Sequence, residues 1–317
     1  MTCKTAERLK ASLQPPVMAT ALLTYSCSND CVFCGPSEKR METSGKSAST
    51  DDILDWLQRC KESNVSLVVF SGAADPLTHK SLPKFIEYAT QSGMLPFCYT
   101  QAHAQERKFK EIANAGLSEI MVSVHGHNSF IHDMNTRSIG SFDLTMRGLS
   151  AIRDIGLYTL TNTVVTNYNV DYLDEIVEKL AFEYGVEEMA FSFPRIEGSV
   201  KKNLDCIPAF DVVSIALERV LKRLKRAGKR ATVEYMPYCH LSKTFYEEMP
   251  DYKTLYKDSS HDIIVRPSEI EWHYLDECLD CQHKIQGCQG IDKSLPFLFE
   301  AGVLKETSSL QLLQKAI

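Results

Sequence analysis

From about residue 18 to residue 228, apolar β-prone runs take turns with amphipathic helical runs, and that alternation narrows the possible folds more than any other feature of the chain. The runs "MATALLTYS", "SLVVFSG", "LPFCYTQ", "SEIMVSVHG", "LYTLTNTVV" and "EEMAFSFP" read as strands. Between and after them, "DDILDWLQRCKES", "KSLPKFIEYATQSG", "QERKFKEIANAG", "SFDLTMRGLSAIRDIG", "VDYLDEIVEKLAFEYG" and "PAFDVVSIALERVLKRLKRAG" read as helices, several of them closed by a glycine. Thr50 is the expected cap of the first, with Asp51 and Asp52 in the turn where the helix dipole favours negative charge. Strands joined by helical crossovers pair in parallel. Six such units predict an α/β fold, a partial (β/α)6 TIM-like barrel, incomplete because the closed form takes eight. After Gly228 the rhythm changes to short strands and loops. The expected division is therefore a barrel over 1–228 and a small second region over 229–317.

A chain of 317 residues with 44% hydrophobic residues can bury a substantial core. It contains no apolar run near the roughly 20 residues of a membrane helix, and its first residues open no signal-like apolar block. A soluble, cytoplasmic protein with no membrane partner is expected. The formal charge of −6 argues against a nucleic-acid binder that works by neutralising phosphates. The basic run Lys222, Arg223, Lys225, Arg226, Lys229 and Arg230 reads as a solvated helix face.

Eleven cysteines, in a reducing compartment, read as metal ligands before they read as disulfides. Seven of them fall in two groups. Cys27, Cys31 and Cys34 share one loop at CxxxCxxC spacing, directly after the first strand, where barrels of this kind build their active sites. Three thiolates hold three corners of a [4Fe–4S] cube and leave one iron for an exogenous ligand. A Cys₃ zinc site with a bound water satisfies the same loop. Cys239, Cys278, Cys281 and Cys288 form the second group, whose spacing suits a Zn(Cys)₄ site and an iron–sulfur cluster equally. Cys3, Cys60, Cys98 and Cys206 are expected to be small buried hydrophobes.

With Phe33 before the last cysteine, the first loop resembles that of the radical S-adenosylmethionine superfamily. The resemblance continues at "FSGAADPLTH", similar to the family's Gly-rich turn, with Gly72, Ala73, Ala74, Asp75 and Pro76 in place and Ala74 where a second glycine is usual. "VSVHGHNSFIHDMNTRSIGSF" is similar in its "HD" and "GSF" elements. The resemblance implies S-adenosylmethionine and a [4Fe–4S] cluster as cofactors, cleavage to a 5′-deoxyadenosyl radical, and hydrogen abstraction from an unactivated C–H. It places the cofactor against Phe33, Gly72, Ala73, Ala74, Asp75, Ser123, Arg137 and Asn162. His125, His127 and His132 read as structural, with His132 bonded to backbone.

The second group resembles the twitch form of the auxiliary-cluster module, shorter than SPASM, and implies a second [4Fe–4S] cluster with His240 or His283 as stand-in ligands should Cys239 be out of reach. A flavodoxin or ferredoxin-like reductant is the implied partner. The substrate is a peptide or amino-acid side chain or a small biosynthetic intermediate, with sugar or aminocyclitol dehydrogenation or epimerisation as the alternative. A zinc or iron–sulfur binding protein without radical chemistry is the rival of another class. Tyr99, Gln101, Ser192, Arg195, Glu234 and Tyr238 stand at strand ends and are expected to face the substrate, Arg195 as a fork of donors for a carboxylate.

Overall fold

The computed structural model describes residues 17–43, 46–71, 74–237, 253–257, 272–273 and 291–292. The six predicted strands are present: β1 Val17–Leu22, β2 Leu67–Ser71, β3 Leu95–Thr100, β4 Glu119–Ser123, β5 Tyr158–Val164 and β6 Glu188–Ser192. All pair in parallel with their sequence neighbours. Two strands from beyond Gly228 join the same sheet: β7 Arg230–Glu234 beside β6 and β8 Lys253–Lys257 beside β1, both parallel. The order is β7-β6-β5-β4-β3-β2-β1-β8, and no pairing joins β7 to β8 among the described residues. The sheet is thus open, as six units short of eight predict, and its seventh strand comes from the segment expected to start the second region. A separate two-residue pair, β9 Trp272–His273 and β10 Ile291–Asp292, is antiparallel.

The crossovers are α2 Thr50–Glu62, α3 Leu82–Gln91, α4 Glu106–Asn114, α6 Ser141–Ile155, α7 Leu173–Val177 with a wider turn over Glu178–Glu183, and α8 Phe210–Arg226. Two short helices sit in loops, α1 Ser37–Glu42 and α5 Ser129–Thr136. The cap of α2 lies one residue before the expected one: Ser49 has the extended backbone of a cap, and its side chain accepts from the Asp52 N–H, while Thr50 is already helical. The basic end of α8, up to Arg226, is a solvated face, as expected, whereas Lys229 and Arg230 lie past the helix and Arg230 opens β7. Lys222 pairs with Glu218 and Arg223 with Glu178 across exposed surface.

Each strand residue points to the face opposite its neighbours. On the helix-covered face Ala19, Ala21, Val68, Phe70, Cys98, Ile120, Val122, Met189 and Phe191 join Trp56, Phe85, Phe109, Leu149 and Leu217 in the main core. Cys60, Cys98 and Cys206 are buried there as apolar side chains, and Cys98 faces away from the barrel interior. On the other face Leu67, Val69, Phe97, Met121, Tyr158, Leu160 and Ala190 form a second apolar layer. Two residues further along each strand that face turns polar: Tyr99, Ser123, Asn162 and Ser192, with Glu234 in register beside Ser192.

Gly148 of α6 permits a contact on which the β3 end depends. A Cβ there would stand 2.0 Å from the carbonyl oxygen of Ala102, itself left-handed at φ 60°. In an ordinary helix interior Gly→Ala stabilises by about 0.5–1 kcal/mol. Here the clash with fixed backbone dominates, at about 1–3 kcal/mol. Gly148→Ala should therefore lower the melting temperature, and a rise in thermal unfolding experiments would refute the close approach.

Candidate functional site

The loop after β1 has little regular structure of its own, so its backbone groups find partners elsewhere. Asp30 N–H donates to Thr136 O at 3.0 Å and Val32 N–H to Asn135 O at 3.0 Å, so the C-terminal carbonyls of α5 hold the middle of the loop. Ser199 N–H donates to Cys34 O at 2.9 Å. Gly198, at φ 54°, brings that segment in: a Cβ would lie 2.0 Å from Gly35 O and 2.3 Å from Cys34 O. Asn203 adds bonds from Nδ2 to Ser199 O and Val32 O.

Cys27, Cys31 and Cys34 are brought together as free, partly exposed thiols. Cys27 Sγ accepts from Gln101 Nε2 at 3.1 Å and from Asn29 N–H at 3.5 Å. Cys34 Sγ accepts from Arg40 Nη1 at 3.5 Å, and Arg40 Nη2 donates to Asn29 O at 2.9 Å. Burial pushes the Cys31 and Cys34 thiols up; neighbouring thiols add to this, and Arg40 opposes it. Three sulfurs on one loop, two of them with N–H donors and one of those donors a guanidinium, have the donor chemistry of an iron–sulfur ligand set, although among the described residues no group of three such side chains is arranged to hold a single metal ion. The sequence reading missed Arg40, whose six-residue distance from Cys34 carries no motif.

Phe33 packs edge-on against His125, with ring centroids 4.6 Å apart. His132 Nδ1 accepts from His125 N–H at 3.1 Å, the expected backbone bond, though from α5 rather than from a loop. His125 Nδ1 accepts from Val164 N–H at 3.2 Å. Each imidazole thus holds one backbone N–H, while Nε2 of His132 is buried without a hydrogen-bond partner among the described residues. The "HD" and "GSF" elements meet: the Asp133 carboxylate accepts from Gly140 N–H, Phe142 N–H and the Ser141 hydroxyl at 2.6, 2.8 and 2.9 Å, capping α6.

Of the positions assigned to the cofactor, Gly72 and Ala73 lie outside the described residues, and Ala74 follows them on the turn after β2. Asp75 is buried, with its carboxylate accepting from Leu77 N–H, Gln101 N–H and the Thr100 hydroxyl, all within 3.0 Å. It ties the β2 turn to the end of β3. Burial raises its pKa and these donors oppose the rise. Ser123 and Asn162 are in register at the ends of β4 and β5. Arg137 closes α5 in a left-handed conformation, with its guanidinium on Asn203 Oδ1, two steps from Val32 of the cysteine loop.

Among the substrate positions, Ser192 Oγ lies 2.9 Å from Asn162 Oδ1 and 3.0 Å from Glu234 Oε2, a polar row across β5, β6 and β7. Burial raises the Glu234 pKa, against the Ser192 bond and the Arg195 charge. Arg195 pairs with Glu197 and lies over the Tyr235 ring, so its charge is already matched. Tyr99 packs on the apolar layer, and Gln101 turns to Cys27. Tyr238, Cys239, Cys278, Cys281 and Cys288 lie outside the described residues, as do His240 and His283.

Two outcomes follow from this geometry. Gly198→Ala should displace the Cys34 carbonyl and reduce iron bound after anaerobic reconstitution, measured against a protein concentration standard. Burial lowers the His132 pKa from 6.5 to about 4. Between those values the unfolded chain binds the extra proton, so stability present above pH 6.5 is lost as the pH falls toward 4, by on the order of 3 kcal/mol. Urea unfolding across that range should show the fall, weakened in His132→Gln; an unchanged slope in the variant would assign it elsewhere.

A family model of the radical SAM superfamily matches residues 22–180. The AdoMet-dependent heme synthase of Nitratidesulfovibrio vulgaris (strain Hildenborough) is 29% identical over 160 residues, 49% of this chain and 42% of that protein. Streptococcus suis SuiB bound to precursor peptide SuiA superposes with a TM-score of 0.62 at 13% identity, covering 83% of this chain and 62% of SuiB. Native anSMEcpe with bound AdoMet and Cp18Cys peptide gives 0.53 at 14% identity, over 69% and 63%. The chain spans less than half of the heme synthase and under two thirds of the two structures, whose likeness is one of fold. The matched residues run from the end of β1 through the cysteine loop and past β5, half of the chain, and the chain belongs to the radical SAM superfamily.

Proposed function

We propose that the chain is a radical S-adenosylmethionine enzyme that oxidises or links an unactivated carbon of a peptide or amino-acid side chain. The observation that carries this reading is the trio of free thiols, with N–H donors on two of its sulfurs, at the strand ends beside a polar row. Cys27, Cys31 and Cys34 would hold a [4Fe–4S] cluster and leave one iron for the cofactor. When bound, cluster and S-adenosylmethionine supply one-electron cleavage and hydrogen-atom abstraction.

The protein's own residues orient and enclose. Phe33, Ala74, Ser123, Asn162 and Arg137, with Gly72 and Ala73, line or brace the nucleoside site, and Asp75 fixes the turn that carries it. The layer of Leu67, Val69, Phe97, Met121 and Leu160 keeps water from below. Ser192, Glu234 and Tyr99, with Tyr238, face the substrate; Glu234, already bonded to Ser192, suits a donor such as an amide N–H or an ammonium.

Beyond the strands β7 and β8 that join the main sheet, Cys239, Cys278, Cys281 and Cys288 would make the remainder of 229–317 an auxiliary-cluster region of the twitch kind, accepting the electron left after abstraction. A cytoplasmic flavodoxin or ferredoxin-like protein supplies the first electron. No helix among the described residues is long and apolar enough to cross a membrane. SuiB bound to SuiA and anSMEcpe bound to Cp18Cys support a peptide substrate. A second reading, a small biosynthetic intermediate, has the support of the heme synthase relative.

Anaerobically reconstituted protein with dithionite and S-adenosylmethionine should release 5′-deoxyadenosine, and Cys31→Ala should abolish the release. A colourless protein holding only zinc would end the proposal. Two cubes require about eight irons per chain. Cys281→Ala should lower the count to about four, and a wild-type count near four that this variant leaves unchanged refutes the second cluster.

A further inference from the structure

The three loop sulfurs differ in their surroundings. A side-chain amide reaches Cys27 and a guanidinium reaches Cys34, while among the described residues no side-chain donor is bonded to Cys31. Both donors are held from elsewhere. Arg40 is anchored by its second nitrogen on Asn29 O at 2.9 Å. Gln101 is fixed through its backbone: its N–H donates to Asp75 Oδ2 at 2.9 Å, and its carbonyl accepts from the Thr145 hydroxyl at 3.0 Å. Left-handed Ala102 follows, seated against Gly148. The Gln101 amide has its N–H end on sulfur and its Oε1 buried without a partner. Against a ligand thiolate, which has no proton to give, the turned-over amide would set an oxygen lone pair against a sulfur lone pair, so it is the N–H end that suits a cluster ligand.

We propose that Gln101 and Arg40 are positioning residues that donate to the cluster's ligand sulfurs and raise its reduction potential. This rests on the reading of the loop as the radical enzyme's cluster site. One-electron reduction places additional negative charge on the cluster and its thiolates, and no bond to the protein is made or broken. Donors and a nearby cation stabilise that reduced state more than the oxidised one. The electron injected into the cofactor then leaves a centre whose potential these two side chains help to set. Gln101 is thereby moved from the substrate's side to the cluster's.

The test is a redox titration of reconstituted holoprotein followed by EPR, without S-adenosylmethionine, in a Cys281→Ala background so that only this cluster is read. Gln101→Leu and Arg40→Met should each retain four irons and shift the midpoint downward. A charge-assisted bond lost corresponds to about a tenfold change in the reduction equilibrium, about 59 mV for one electron. Arg40→Lys, which keeps the charge, should restore part of the shift. Potentials unchanged in Gln101→Leu and Arg40→Met, with iron retained, overturn the proposal. Should a variant fail to hold iron, wild-type protein labelled with ¹⁵N in the glutamine side-chain amide decides. A nitrogen hyperfine coupling to the reduced cluster supports the contact, and its absence refutes it. A wild-type protein with no reducible four-iron centre instead refutes the underlying reading of the loop, an outcome separate from unshifted variants.

Discussion

The backbone hydrogen bonds that seat the cysteine loop on α5 are the constraint from which the site follows. A loop with little regular structure pairs few of its own peptide groups, and those cannot be left buried and unpaired. Asn135 and Thr136 offer carbonyls that a helix end leaves unbonded, and the loop's N–H groups use them. Asp133, one turn earlier, caps the next helix and so fixes where α5 stops. Residues that carry a family resemblance in the sequence are here the brackets of the cysteine loop.

The same economy governs the histidines. His125 and His132 lie between Phe33 and Phe142, where a charged imidazole would be costly, and each ring accepts one backbone N–H. Kept neutral, each ring keeps one acceptor, used by a backbone N–H, and one N–H donor of its own, which in His132 is buried without a partner among the described residues.

Much of this was legible in the sequence because two periodicities survive averaging: the strand–helix alternation and the spacing of the cysteines. All six predicted strands formed, and the strand-end residues Ser123, Asn162, Ser192 and Glu234 share one face because residues two apart always do. The missing parts share a physical cause, since they depend on contacts between segments far apart in the chain. Arg40 matters through its reach to Cys34, and Gly198 through its approach to Gly35. Arg195 has the chemistry of a carboxylate clamp, and the pairing with Glu197, two residues on, is a contact that no motif marks. β7 reads in the sequence as part of the second region because no helical pattern follows its short run there, although its register with β6 continues the sheet.

The apolar layer beneath the polar row has an electrostatic implication. Because Leu67, Val69, Phe97, Met121 and Leu160 give Asn162, Ser192 and Glu234 only hydrocarbon on one side, water screens that row less, and the links from Ser192 to its two neighbours count for more than the same links at an open surface. The three side chains therefore behave as one polar unit, and a change to any of them is felt by the other two.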